Sequence, residues 1–69
     1  MKVEWIDGYK ILVNIQNNNE VVISANKQGL LSLAIQLKAL AEGVPGDHIH
    51  YDEDNALEKG SVEIIIENR

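Results

Sequence analysis

The stretch from Pro45 to Asp54, PGDHIHYDED, carries the residue types with the most obvious capacity for chemistry. It holds both histidines of the chain and four of its eleven acidic residues. In a strand, His48, His50 and Asp52 would project from one face, because side chains alternate with a period of two. Two imidazoles and a carboxylate are ligands that zinc, iron or manganese accept. A metal or catalytic site is therefore the first hypothesis to weigh.

The rest of the chain argues against a metal or catalytic site. The sequence has no third histidine and no cysteine, so a further ligand would have to be a carboxylate such as that of Glu63. Ser24, Ser32 and Ser61 have no histidine at motif spacing, and NKQGLLS lacks the glycines and the terminal lysine of a phosphate loop. The sequence predicts a protein that is not an enzyme and that has no cofactor and no functional metal.

Length and charge narrow the class of partner. The 69 residues predict a single domain, residues 1–69, with a formal net charge of −5. A chain this acidic is repelled by phosphate backbones and attracts basic protein surfaces. Its apolar segments are too short to cross a membrane, and its lack of cysteine is consistent with a reducing compartment. We expect a cytoplasmic protein that binds neither nucleic acid nor membrane.

Alternating apolar residues predict five strands around one helix. VEWIDGYKILVNIQ is typical of a hairpin that turns at Asp7 and Gly8. QNNNE is a second reversal, since Asn tolerates left-handed backbone. EVVISA, HIHYD and SVEIIIE follow as strands. The residues expected on the core face of the third and last strands are Val21, Ile23, Ala25, Val62, Ile64 and Ile66.

A helix separates the third and fourth of these strands. Asn26 is a good N-cap, and Gly29 weakens the first turn but lets the helix lie close to a strand. Helical spacing places an apolar stripe toward the core, formed by Leu30, Leu33, Ala34, Leu37, Leu40 and Ala41. The predicted fold class is α+β, a mostly antiparallel sheet of about five strands in the order β-β-β-α-β-β, with one helix packed on one face.

One helix covers one face of a sheet and leaves the other open. The residues expected on the open face are Lys10, Leu12, Asn14, His48, His50, Asp52, Glu63, Ile65 and Glu67. Trp5 joins them if the Asp7–Gly8 turn has two residues, and it enters the core if the turn has three. Apolar residues surrounded by charge are typical of a protein-binding face.

Three segments, SANKQGLLSLAIQLKALAEG, PGDHIHYDED and LEKGSVEIIIE, together resemble the immunity protein 32 family of bacterial polymorphic toxin systems. The match covers about residues 21 to 67. Asn26 and Gly29 match the helix opening of that family, and His50 and Asp52 match its histidine-x-aspartate pattern. The resemblance implies an intracellular protein that binds and neutralises a cognate toxin, and it implies no catalytic residues.

The partner-binding residues that we predict are therefore His48, His50, Asp52, Glu53, Asp54 and Trp5. Two alternatives remain open from the sequence. A homo-oligomer, for example a homodimer, would bury Leu12 and Ile65 on the open face. A metal-binding protein would use His48 and His50.

Overall fold

A computed structural model describes residues 3–69 and places one helix and four strands in that range. In chain order the elements are β1 (Ile11–Gln16), β2 (Glu20–Ala25), α1 (Lys27–Ala41), β3 (His48–Tyr51) and β4 (Ile64–Glu67). β1 pairs with β2, and β3 pairs with β4, both antiparallel. The α+β class is confirmed. The single sheet of about five strands is wrong, because residues 3–69 form two sheets of two strands each.

The first predicted strand is absent because the turn after it does not build a hairpin. Ile6 accepts a backbone hydrogen bond from Tyr9 at 3.1 Å, and of the two central residues only Gly8 has a positive φ, at 84°. A two-residue hairpin turn of type I′ needs positive φ at both central positions. With positive φ only at the second, the turn is of type II, whose twist splays the flanking segments apart.

The segment before this turn lies against α1 instead. The backbone N–H of Ile6 donates to Ser32 Oγ at 2.8 Å, and Gln36 Nε2 donates to the carbonyl of Glu4 at 2.6 Å. Ser32 and Gln36 are 0% and 1% exposed. Two polar side chains of the helix thus supply the backbone partners that a strand would have found in a sheet.

An irregular segment, residues 58–62, joins the two sheets. Glu58 N–H donates to the carbonyl of Ile11 and Val62 N–H donates to the carbonyl of Val13, each at 2.8 Å. This segment takes the place of the start of the last predicted strand, so β4 begins only at Ile64. Val62 is 37% exposed, which corrects its assignment to the core.

The helix buries only part of the stripe that its sequence predicts, since Leu40 is in the core and Leu33 packs against it. Its buried residues are Gly29, Ser32, Gln36 and Leu40. The stripe residues that are exposed instead are Leu30, Ala34, Leu37 and Ala41. The prediction of the buried face was wrong for these four residues, because the helix also turns Ser32 and Gln36 inward, where they hydrogen-bond to the N-terminal segment. Within residues 3–69, no helix has both the length and the apolar character needed to cross a bilayer.

The core is small and lies where α1 meets β1 and β3. Within the described part of the chain, its buried hydrophobic residues are Ile11, Val13, Leu40, Ile49, Tyr51 and Leu57. Val21 and Ile23 of β2 are exposed, contrary to the prediction. The helix follows β2 directly and packs near its Ala25 end, so the rest of β2 extends beyond the cover of the helix.

The start of α1 agrees with the sequence. Asn26 Oδ1 accepts from Gly29 N at 2.8 Å and from Lys10 N at 3.0 Å, so it caps the helix and ties it to the chain before β1. A Cβ at position 29 would lie 2.7 Å from Lys10 O and 2.9 Å from Ile11 Cγ1. Glycine is needed here because the helix approaches the backbone closely.

Candidate partner-binding site

β3 places the two histidines on its exposed side. Ile49 and Tyr51 are buried, whereas His48 and His50 are exposed, as alternation predicts. The two imidazole centroids lie 5.0 Å apart. His50 Nδ1 is 3.8 Å from Glu63 Oε2, with about half of each side chain exposed. An exposed pair of this kind contributes little to stability, so these side chains are available for contact with another molecule.

Asp52 follows the histidines but does not join them. Its Oδ1 accepts the backbone N–H groups of Asp54 and Asn55 at 2.9 and 3.1 Å. The carboxylate therefore holds the turn after β3. Within residues 3–69, no group of three histidine, aspartate or glutamate side chains has an arrangement that could hold a metal ion.

Asn55 completes this turn, and the sequence analysis missed it. Asn55 Oδ1 accepts from Asp52 N at 3.0 Å, and its Nδ2 donates to His50 O at 3.0 Å. Asp52 and Asn55 thus bond each other reciprocally across three residues, as in the capping arrangement at a helix start. The D-x-x-N spacing of Asp52 and Asn55 was the signal that could have revealed this role.

The other two acidic residues of the predicted site differ from each other. Glu53 Oε2 accepts the backbone N–H of Gly60, so its carboxylate ties the turn to the segment beside β1. Asp54 is exposed, and its backbone N–H is held by Asp52. A change of the Asp54 side chain therefore leaves the hydrogen bonds of Asp52 and Glu53 in place.

Trp5 is half-buried, between the two positions that the sequence left open. Its ring stacks on Tyr9 with centroids 4.2 Å apart and meets the edge of the Tyr51 ring at 6.1 Å. Tyr51 lies behind it, fully buried, and donates its hydroxyl to Gln36 Oε1 at 2.7 Å. Burial raises the pKa of the Tyr51 hydroxyl above its ordinary value of 10.0.

Trp5 and the histidines line one shallow groove along the unpaired edge of β3. Two adjoining depressions share Val3, Ile49, His50 and Asn55. Trp5 borders the second depression, and His48 and Asp47 border the first. We call this surface the edge groove. It brings together three of the predicted residues, Trp5, His48 and His50, while Asp52, Glu53 and Asp54 belong to the turn that follows it.

Comparison with known proteins gives one match. The family model described as Immunity protein 32 matches residues 20–69, which confirms the resemblance seen in the sequence motifs. No curated protein and no solved structure matches the chain significantly. The matched range runs from the start of β2 to Arg69 and includes His48, His50 and the turn after them. It excludes β1 and Trp5.

Proposed function

Since the chain belongs to the immunity protein 32 family, we propose that it binds a cognate bacterial toxin domain and neutralises it. The proposed mechanism is non-enzymatic and uses no cofactor: the bound protein covers the active or substrate-binding surface of the toxin. The encounter takes place in the cytoplasm of the bacterium, as the family resemblance implies. Neither nucleic acid nor membrane takes part.

The edge groove is the contact surface that we propose, and its composition is the observation that supports it. It combines a partly exposed tryptophan with two exposed imidazoles at a strand edge. Tryptophan is enriched among residues that dominate binding energy, and polar residues around such an anchor form the rim of an interface. Glu63 provides acidic charge beside His50, and Asp54 adds an exposed carboxylate in the turn that follows β3.

Charge supports a basic surface on the toxin. The net charge of −5 speeds the approach of a positively charged protein and disfavours acidic competitors. Because exposed charges act over about 10 Å at moderate salt, the rate of association should fall as salt rises. A toxin that acts on nucleic acid would present such a basic surface, and covering it would block access of the substrate.

The first test is capture of the product of the neighbouring gene by this protein, with co-expression to score cell survival. We expect binding together with rescue. A toxin-like neighbour that is neither bound nor neutralised would contradict the proposed function.

The second test locates the surface. We expect a variant with His50→Ala and Asp54→Lys to bind the toxin at least about tenfold more weakly, because it removes an exposed contact and reverses a nearby charge. Asp52 and Glu53 stay unchanged, since they hold the turn. Glu20→Lys is the matched control, because it makes the same charge reversal at the far hairpin. Equal affinity of the groove variant and the control would place the interface elsewhere.

A further inference from the structure

The helix exposes an apolar line on a side that the fold leaves uncovered. Leu30, Ala34, Leu37 and Ala41 lie at spacings of four, three and four residues, so they form one line along α1. We call this line the helix stripe. All four residues are exposed, and the leucines retain 54% and 41% of their accessible surface. Ser32 and Gln36, which bind the N-terminal segment, lie on a different side.

The β1–β2 hairpin carries further exposed apolar side chains. Ile15 pairs with Val21, and Ile23 pairs with Val13, so these side chains share one face of the hairpin with Ile11. Ile11 packs against Gly29 of the helix, which identifies the face as the one that α1 covers. Beyond the cover of the helix, Ile15, Val21 and Ile23 are 43% to 59% exposed.

The fold leaves more apolar surface outside than a small domain tolerates well. Among residues 3–69, six hydrophobic residues are buried, whereas eleven large hydrophobic residues are exposed. A domain of this length draws only a few kcal/mol from a complete core, and small domains often gain the rest by association. A partner that covers apolar surface on the helix side would therefore add to the stability of the folded chain.

We propose that a second copy of this chain covers the helix stripe and the hairpin face beside it, forming a symmetric dimer. A second copy is always available at the site of synthesis, whereas a toxin is met only on occasion. A specific interface needs about 1,000 Å² in total, or about 500 Å² from each copy. Five half-exposed aliphatic side chains and two alanines expose apolar surface of roughly this order, near the largest patch of a typical monomer.

Charge permits this contact. α1 carries Lys27 and Lys38 and no acidic residue, so all eleven acidic residues of the chain lie elsewhere. Glu67 borders the groove formed by Leu37 and Ala41 with the end of β4. The surface thus has both signs of charge near its rim, and two copies meet there without concentrating the net negative charge.

The dimer leaves the edge groove open. Tyr51 points from β3 toward the helix, where its hydroxyl meets Gln36, whereas His48 and His50 point the other way. The dimer surface therefore differs from the open face with Leu12 and Ile65 that the sequence suggested for self-association. The inference goes beyond the proposed function, and the oligomeric state on which it depends is measured without the toxin.

The test is sedimentation equilibrium of the full chain alone over a hundredfold range of concentration. We expect the wild-type mass to reach twice the 7.7 kDa of the chain and its melting temperature to rise with concentration. Leu30→Glu with Leu37→Glu should halve that mass. Ile65→Glu, at a site of similar exposure on the other side, is the matched control and should remain dimeric.

Ala34→Arg is a second variant. Its long side chain keeps a second copy from approaching the helix stripe closely, while Leu30 and Leu37 stay in place and arginine remains a good helix former. It should also be monomeric, with an unchanged circular dichroism spectrum. A wild-type chain that stays monomeric throughout would overturn the dimer. So would dissociation by Ile65→Glu alone, which would point to the open face. If the wild type is monomeric and the helix-stripe variants no longer capture the toxin, the helix stripe is a toxin-binding surface and not a dimer interface.

Discussion

The two sides of α1 depart from the usual arrangement of an amphipathic helix, because the inward side carries polar residues beside Leu40. The side that faces the protein has Ser32 and Gln36, which are almost completely buried, whereas Leu30 and Leu37 on another side are half-exposed. Hydropathy alone would turn the helix the other way. The difference shows that hydrogen bonds to the backbone of a neighbouring segment, together with the burial of Leu40, set which side of this helix faces inward.

Burying a polar side requires that every polar atom has a partner. Gln36 uses both ends of its amide, donating to Glu4 O and accepting from the Tyr51 hydroxyl. Ser32 accepts from Ile6 N and donates to Gln28 O. In residues 3–69, no buried side-chain nitrogen or oxygen lacks a hydrogen bond. Removing one partner would leave another group buried without one, and that costs more than the bond contributes.

The largest expected effect comes from Gln36→Ala. The substitution removes the hydrogen-bond partner of Glu4 O and of the Tyr51 hydroxyl and leaves a cavity. We therefore expect the free energy of unfolding to fall by about 2–4 kcal/mol. Urea denaturation at high dilution measures it. Leu37→Ala, one residue further along the helix, is the matched control and should cost less than about 1 kcal/mol in the monomer. An equal loss of unfolding free energy in the two variants would mean that both sides of the helix contribute equally to stability, contrary to this expectation.

Gly29→Ala should have a smaller effect, and its sign is informative. Helix propensity alone predicts a gain of about 1 kcal/mol. The new Cβ would collide with Lys10 O and Ile11 Cγ1, so we expect a net loss of about 1–2 kcal/mol in thermal unfolding. Ala34→Gly on the helix stripe is the control and should lose only the propensity, about 1 kcal/mol. A stabilised Gly29→Ala variant would show that the helix can move away from β1.

Tyr51→Phe is the mildest change and also tests pH dependence. Losing the hydroxyl should reduce the free energy of unfolding by about 1 kcal/mol. Because burial raises the pKa of Tyr51 above 10.0, the unfolded chain releases this proton at lower pH than the folded chain. The free energy of unfolding should therefore fall as pH rises above about 10. The part of this fall that comes from ionisation of Tyr51 should be missing in the Tyr51→Phe variant. Parallel pH curves for the two proteins would contradict the assignment.

The sequence predicts the local features of this fold well. Asn17 and Asn18 adopt left-handed φ angles of 52° and 68° in the β1–β2 turn, and Asn26 caps the helix. It fails where a contact joins distant residues. The bond from Ile6 N to Ser32 Oγ spans 26 positions, and no local pattern indicates it. Periodicity locates an apolar stripe on α1 but does not show whether the chain has anything to cover it.

In the candidate site, too, the sequence predicts the local features and misses the contacts between distant residues. Alternation correctly places His48 and His50 on the exposed side of β3, because that depends on neighbours in the sequence. The position of Trp5 beside them depends on how the N-terminal segment packs on the helix, so it stayed open. Asp52 and Glu53 were chosen for their charge, whereas their carboxylates hold backbone N–H groups. Composition gives the charge of a segment but not the partner of each carboxylate.

The contact between residues 58–62 and β1 has a consequence for how the protein is made. Val13 N–H donates to Ser61 Oγ, a residue 48 positions further along the chain. A ribosome that adds about 5–20 residues per second needs roughly 2–10 s to synthesise that interval. During that time the β1–β2 hairpin lacks the neighbour that completes its edge, and its apolar face stands open to other nascent chains. Translation speed over this interval is therefore a quantity that selection can act on.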